Sequence, residues 1–132
     1  MSVPETPEVN RLRGGDVLVL SQHFVRRGLA SVILKQSGSV VTEAATPEEA
    51  SDALQCHVFD AVIADVVGLH EQQREAVKSA LLLRRSARLF LIAKDDDALP
   101  GLSANAILKP EVDKQEILCA MAHVGAAAQS NA

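Results

Sequence analysis

The strongest constraint on the fold is a set of short apolar runs whose residues do not alternate with polar ones. Val17-Leu18-Val19-Leu20 is continuous, and Phe59 to Val66 holds a second such run, Ala61-Val62-Ile63-Ala64, which ends at a carboxylate, Asp65. A strand that is apolar on both sides has no solvent face and belongs inside a sheet covered above and below. Such coverage requires helices between the strands, and helix signals lie there.

A helix is expected from about His23 to Gln36, with Val25, Leu29 and Val32 as its inward stripe. Ser39 to Ala45 contains the β-branched Val40-Val41-Thr42 and reads as a strand. Thr46-Pro47-Glu48-Glu49 opens a second helix: Thr46 caps, Pro47 suits the first helical position and Glu49 completes a capping box. That helix runs to about Cys56 with Ala50, Ala53 and Leu54 inward. A third helix spans about Glu71 to Arg84 around Val77, Ala80 and Leu81, and Arg88 to Ala93 follows as the fourth strand. Ala106-Ile107-Leu108 makes a short fifth strand. Asp113 with Glu116 then opens a last helix with Ile117, Leu118, Met121 and Val124 as its stripe.

Strand–helix repetition with right-handed crossovers implies a parallel α/β sheet. The expected fold is a flavodoxin-like (βα)5 three-layer sandwich with five parallel strands ordered 2-1-3-4-5. Residues 1–15, with Pro4, Pro7 and Gly14-Gly15, read as a flexible leader, 16–124 as the domain and 125–132 as a flexible tail. The weak point lies between Ala93 and Ala106, where Asp95-Asp96-Asp97 and Pro100-Gly101 leave room for one helical turn at most.

Side chains at the carboxyl ends of parallel strands share one crevice, and function sits there. Asp65 ends the third strand and Lys109, followed by Pro110, ends the fifth. A carboxylate and an ammonium in that crevice suit an anion site or phosphoryl chemistry. The plainer reading is a structural pair, in which each is the other's nearest opposite charge and the two lie within salt-bridge or water-bridged reach.

Other chemistries find little support. The net charge of −4 gives no footprint for nucleic acid or an anionic membrane, and three Phe with no Trp or Tyr leave no base-stacking surface. Cys56 and Cys119 are far apart and fit reduced core thiols in a cytoplasmic protein. No apolar run reaches the roughly 18–20 residues that span a bilayer. Ser21, His23 and Asp65 do not make a hydrolytic triad without a nucleophile elbow, and no Gly-rich loop follows the first strand. An enzyme is not expected.

The order of elements, with Asp65 closing strand three and Lys109-Pro110 closing strand five before a capped helix, resembles the receiver domain of bacterial response regulators over about residues 16–124. The resemblance implies that Asp65 matches a phosphoryl acceptor and Lys109 the lysine that pairs with the phosphoryl group. It also implies positions that this sequence does not fill. Ser21 and Gln22 stand where an acidic pair would hold Mg²⁺, and Ala93 stands where a switch hydroxyl would be. Ala106 or Ile107 replaces an aromatic ring, and Val67-Gly68 replaces a Pro-Gly. The fourth-helix region is several residues short.

The expectation is therefore an atypical receiver, or pseudo-receiver, with no cofactor and with phosphorylation weak or absent. It would act by contact with another signalling protein, such as a histidine kinase or an output domain, or as a homodimer through residues 94–118. The alternative is a working receiver phosphorylated on Asp65 by a histidine kinase, with Mg²⁺ held by a site rebuilt from Asp95, Asp96 and Asp97. A second alternative is a small-ligand-binding flavodoxin-like domain.

Overall fold

A computed structural model describes residues 15–94, 99 and 101–130, with side chains as far as Ala122. Five parallel strands form one sheet of order β2-β1-β3-β4-β5, as the strand–helix alternation predicts. They are β1 (Asp16–Leu20), β2 (Val40–Ala44), β3 (Ala61–Asp65), β4 (Arg88–Ile92) and β5 (Ala106–Leu108). The helices are α1 (Phe24–Gln36), α2 (Pro47–Cys56), α3 (Glu71–Leu81) and α4 (Lys114–Ser130).

The apolar runs occupy the middle of the sheet because both their faces are covered. Leu18, Leu20, Val62 and Ala64 pack with Ala50 and Leu54 of α2 and Val77, Ala80 and Leu81 of α3. On the opposite face, Val17, Val19, Ala61 and Ile63 pack with Ala30 and Leu34 of α1 and Ile117, Ala120 and Met121 of α4. β2 forms one sheet edge and is the most exposed strand, in keeping with its polar Thr42 and Glu43. Register Leu20↔Ala44, Leu20↔Ala64 and Asp65↔Ile92 brings the carboxyl ends of four strands to one rim.

Local signals account for most boundaries. Thr46 Oγ1 accepts from the Glu49 amide at 3.1 Å, while Glu49 Oε1 accepts from the Ala45 amide at 2.7 Å. Asp113 Oδ1 accepts from the Gln115 amide at 3.1 Å at the start of α4. Its expected companion Glu116 is used elsewhere: Oε1 accepts from the Lys109 amide at 2.9 Å and ties the end of β5 to α4.

Four expectations change. First, the inward face of α1 is Ala30, Ser31 and Leu34. Val25, Leu29 and Val32 are 56%, 47% and 51% exposed, so the expected stripe faces solvent. Second, Cys56 and Cys119 are both exposed and so are not core thiols. In keeping with the short fourth-helix region, the described part of the β4–β5 connection contains no helix. Leu99 and Leu102 pack instead against the α2/α3 face. Third, α3 ends at Leu81, ahead of Arg84, and Arg85 takes a left-handed φ of 58°.

Fourth, α4 continues to Ser130, into the stretch read as a tail. Three consecutive alanines after Gly125 are the strongest helix formers and offset a single glycine, which costs about 1 kcal/mol in a helix. Of the leader, Gly15 is described: it has φ 71°, and its carbonyl accepts from the Val40 amide at 2.9 Å. Met1–Gly14 and Asp95, Asp96 and Asp97 lie outside the described residues.

Candidate functional site

Asp65 ends β3 with 2% of its side chain exposed, at the rim where β1 and β3 finish. A carboxylate so buried must be compensated. Three donors serve it. Ser21 Oγ–H donates to Oδ2 at 2.7 Å, Arg26 Nε–H donates to the same oxygen at 2.7 Å, and the Val67 amide donates to Oδ1 at 3.0 Å.

Each donor is itself positioned. Ser21 continues the line of β1, its amide donating to the Ala44 carbonyl at 3.0 Å, and it is buried. The His23 amide donates to Ser21 Oγ at 3.0 Å, which leaves the hydroxyl proton for Asp65. His23 caps α1, with Nδ1 accepting from the Arg26 amide at 3.2 Å. Arg26 lies one turn above Ala30 on the face that meets the sheet, so its guanidinium arrives over Asp65. Arg27 is tied as well: Nη1 donates to the Ser21 carbonyl at 2.8 Å and Nε to Glu43 at 3.2 Å. Gln22, His23, Arg26, Asp65, Val67, Gly68 and Leu69 line an open crevice of about 230 Å³ at this rim.

The cation on Asp65 is thus Arg26 and not Lys109. The salt bridges among the described residues join Arg26 to Asp65 and Arg27 to Glu43. Lys109 is exposed and does not line the crevice. Hydrophobicity alone turns Val25, Leu29 and Val32 inward, which takes Arg26 off the face that meets the sheet. The available signal was that Arg26, Ala30 and Leu34 share a second stripe at helical spacing.

The remaining candidate positions are dispersed. Ala93 is buried, and its amide donates to the Leu108 carbonyl at 3.0 Å; its methyl offers no hydrogen bond. Ala106 packs toward the α1/α4 core, while Ile107 points to the other face and is 55% exposed. Gln22 is exposed, with Oε1 3.5 Å from Gln73 Nε2. Val67-Gly68 follows Asp65, and Gly68 takes φ 72°.

A divalent cation of the Mg²⁺ type requires several free oxygen ligands, carboxylates foremost. Here Asp65 Oδ2 already accepts two hydrogen bonds, the Ser21 hydroxyl donates, and the Ser21 carbonyl is held by Arg27. No group of three or more His, Cys, Asp or Glu able to hold a metal occurs among the described residues. The described residues at this rim do not fit such an ion.

The arrangement is an open parallel α/β sheet of order 2-1-3-4-5 in which Asp65 is the buried carboxylate among the described residues of the carboxyl rim. No protein-family model matches the sequence, and no curated protein does. Solved structures match the fold. A CheY-like response regulator receiver domain protein from Methanospirillum hungatei JF-1 superposes with a TM-score of 0.73 at 17% identity, over 89% of this chain and 98% of that one. The signal receiver domain of an HD domain-containing protein from Pseudomonas fluorescens Pf-5 gives 0.72 at 17% identity, over 87% and 97%. A response regulator from Burkholderia pseudomallei, solved with a phosphorylated aspartic acid, calcium ion and citrate, gives 0.68 at 19% identity, over 88% and 71%. Among the described residues, no helix is long and apolar enough to cross a membrane.

Proposed function

We propose that this chain is a signalling module of the pseudo-receiver kind, acting by protein–protein contact and not by phosphorylation. The observation that carries the reading is the state of Asp65. The residue in the acceptor's place is enclosed by Ser21 and Arg26, with no second carboxylate beside it at the end of β1. Phosphoryl transfer to an aspartate relies on a positioned metal to neutralise developing charge, and the described residues of this rim leave no carboxylate pair free to hold one. Ala93 and Ala106 supply neither a hydroxyl nor a ring to report a phosphoryl group, so nothing at those positions distinguishes two states. Lys109, exposed at the rim, remains the candidate to pair with a phosphoryl group under the alternative reading.

Partner contact is proposed over two stretches. Residues 94–118 carry the exposed Ile107, and α1 presents Phe24, Val25, Leu29 and Val32 to solvent beside the Asp65 crevice. A kinase, an output domain or a second copy of the chain would cover them.

The test is exposure of the protein to acetyl phosphate or beryllofluoride with 10-fold excess Mg²⁺, read by intact mass and by amide chemical shifts. The proposal expects no adduct and no shift change at the rim. An adduct that is lost in Asp65→Asn, accompanied by tenfold tighter self-association or partner binding, refutes it and restores the working-receiver reading.

A further inference from the structure

We infer that Arg26 is a resident counter-cation that takes the place of a divalent ion at Asp65, and that Arg26 itself, beyond the loss of carboxylates at Ser21 and Gln22, closes this rim to metals. The inference rests on the pseudo-receiver reading and goes further, because it names the group responsible.

The geometry supports it in three ways. Arg26 Nε and Ser21 Oγ both donate to Asp65 Oδ2, at 2.7 Å each, so the oxygen facing the end of β1 has both lone pairs engaged. The guanidinium is not a loose surface group: its side chain is 18% exposed, and its backbone amide is held by His23 Nδ1 in the first turn of α1. Arg27, its neighbour, donates through Nη1 to the Ser21 carbonyl, so a second oxygen at the end of β1 is engaged by an arginine. A divalent cation would therefore face a fixed like charge in contact with the Asp65 oxygen nearest the end of β1, whose lone pairs are already bonded.

Two causes of metal exclusion, missing carboxylates and the Arg26 guanidinium, are distinguished by substitution. If missing carboxylates are the whole reason, Ser21→Asp with Gln22→Asp creates a metal site. If Arg26 closes the rim, that pair of changes fails while the guanidinium remains, and the site opens only when Arg26→Gln is added. The measurement is Mn²⁺ binding by electron paramagnetic resonance, together with the shift of thermal unfolding on adding Mg²⁺. The comparison uses wild type, Ser21→Asp/Gln22→Asp and Ser21→Asp/Gln22→Asp/Arg26→Gln.

The expected result is saturable binding in the triple variant, at least tenfold tighter than in the double variant, with a rise in unfolding temperature on Mg²⁺ addition that the double variant does not show. If the triple variant is unfolded without metal, recovery of helical circular dichroism on Mg²⁺ addition counts as binding, and its failure to recover overturns the inference. Ser21→Asp/Arg26→Gln, with one fewer added charge, provides a second folded comparison and should also exceed the double variant. Equal binding by the double and triple variants, or none in a folded triple variant, likewise overturns the role of Arg26. Metal binding by the wild type would instead overturn the pseudo-receiver reading.

Discussion

Replacing Arg26 by Met keeps a long apolar stem on the inner face of α1 and removes the cation from Asp65. The carboxylate, with 2% of its side chain exposed, would keep hydrogen bonds from Ser21 Oγ and the Val67 amide but lose its only ion pair among the described residues. Removing one partner of a buried pair costs about 3–5 kcal/mol because the other charge is left uncompensated. The two surviving hydrogen bonds and the partial exposure of Arg26 place the expected loss at or just below the bottom of that range, about 2–3 kcal/mol. Asp65→Asn should cost less, since Arg26 reaches solvent more easily than Asp65 does. The double variant Arg26→Met/Asp65→Asn should recover part of the loss. Urea unfolding of the four proteins forms a double-mutant cycle, with an expected coupling of about 1–3 kcal/mol. An Arg26→Met protein within about 0.5 kcal/mol of wild type, the range of ordinary surface substitutions, would refute the claim that Arg26 compensates Asp65.

The phase of α1 is tested by Leu29→Lys and Val32→Lys, which should each stay within about 0.5 kcal/mol of wild type, while Leu34→Ala should cost about 2–5 kcal/mol in the same urea assay. Gly15→Ala should destabilise by about 1–3 kcal/mol in thermal unfolding, since φ is 71° and the new Cβ would run into the Asp60 carboxylate that accepts from the Asp16 amide. Thr46→Ala should cost about 1 kcal/mol by removing the cap of α2, and Thr46→Ser should restore most of it.

The position of Asp65 on the carboxyl rim was legible because local rules reach it. A run such as Ala61-Val62-Ile63-Ala64 must be buried on both faces, and the strand after it must be parallel. Asp65 at its end therefore falls on the carboxyl rim whatever the details of packing. Ser21 and Gln22 were placed beside it for the same reason, as the residues that end β1. The Thr46–Glu49 box and the Asp113 cap depend on neighbours within four residues and both formed, whereas Glu116, the expected companion of Asp113, is drawn to the Lys109 amide seven residues away.

What the residues alone did not decide was the rotation of α1, and with it the chemistry of the site. Two stripes run along that helix at the same spacing. Val25, Leu29 and Val32 are the more apolar, and burial favours them if hydrophobicity is the only term. Arg26, Ala30 and Leu34 form the other, and this one faces the sheet. The balance is tipped by carboxylates distant in sequence: Asp65 is 39 residues from Arg26, and Glu43 is 16 residues from Arg27. Only after β1, β2 and β3 are side by side do these acids stand where two arginines on one helical turn can reach them, and the small Ala30 lets the backbone approach β1 closely. Helical period shows that a helix has faces; which face turns inward was settled by charges that the folded sheet brought together.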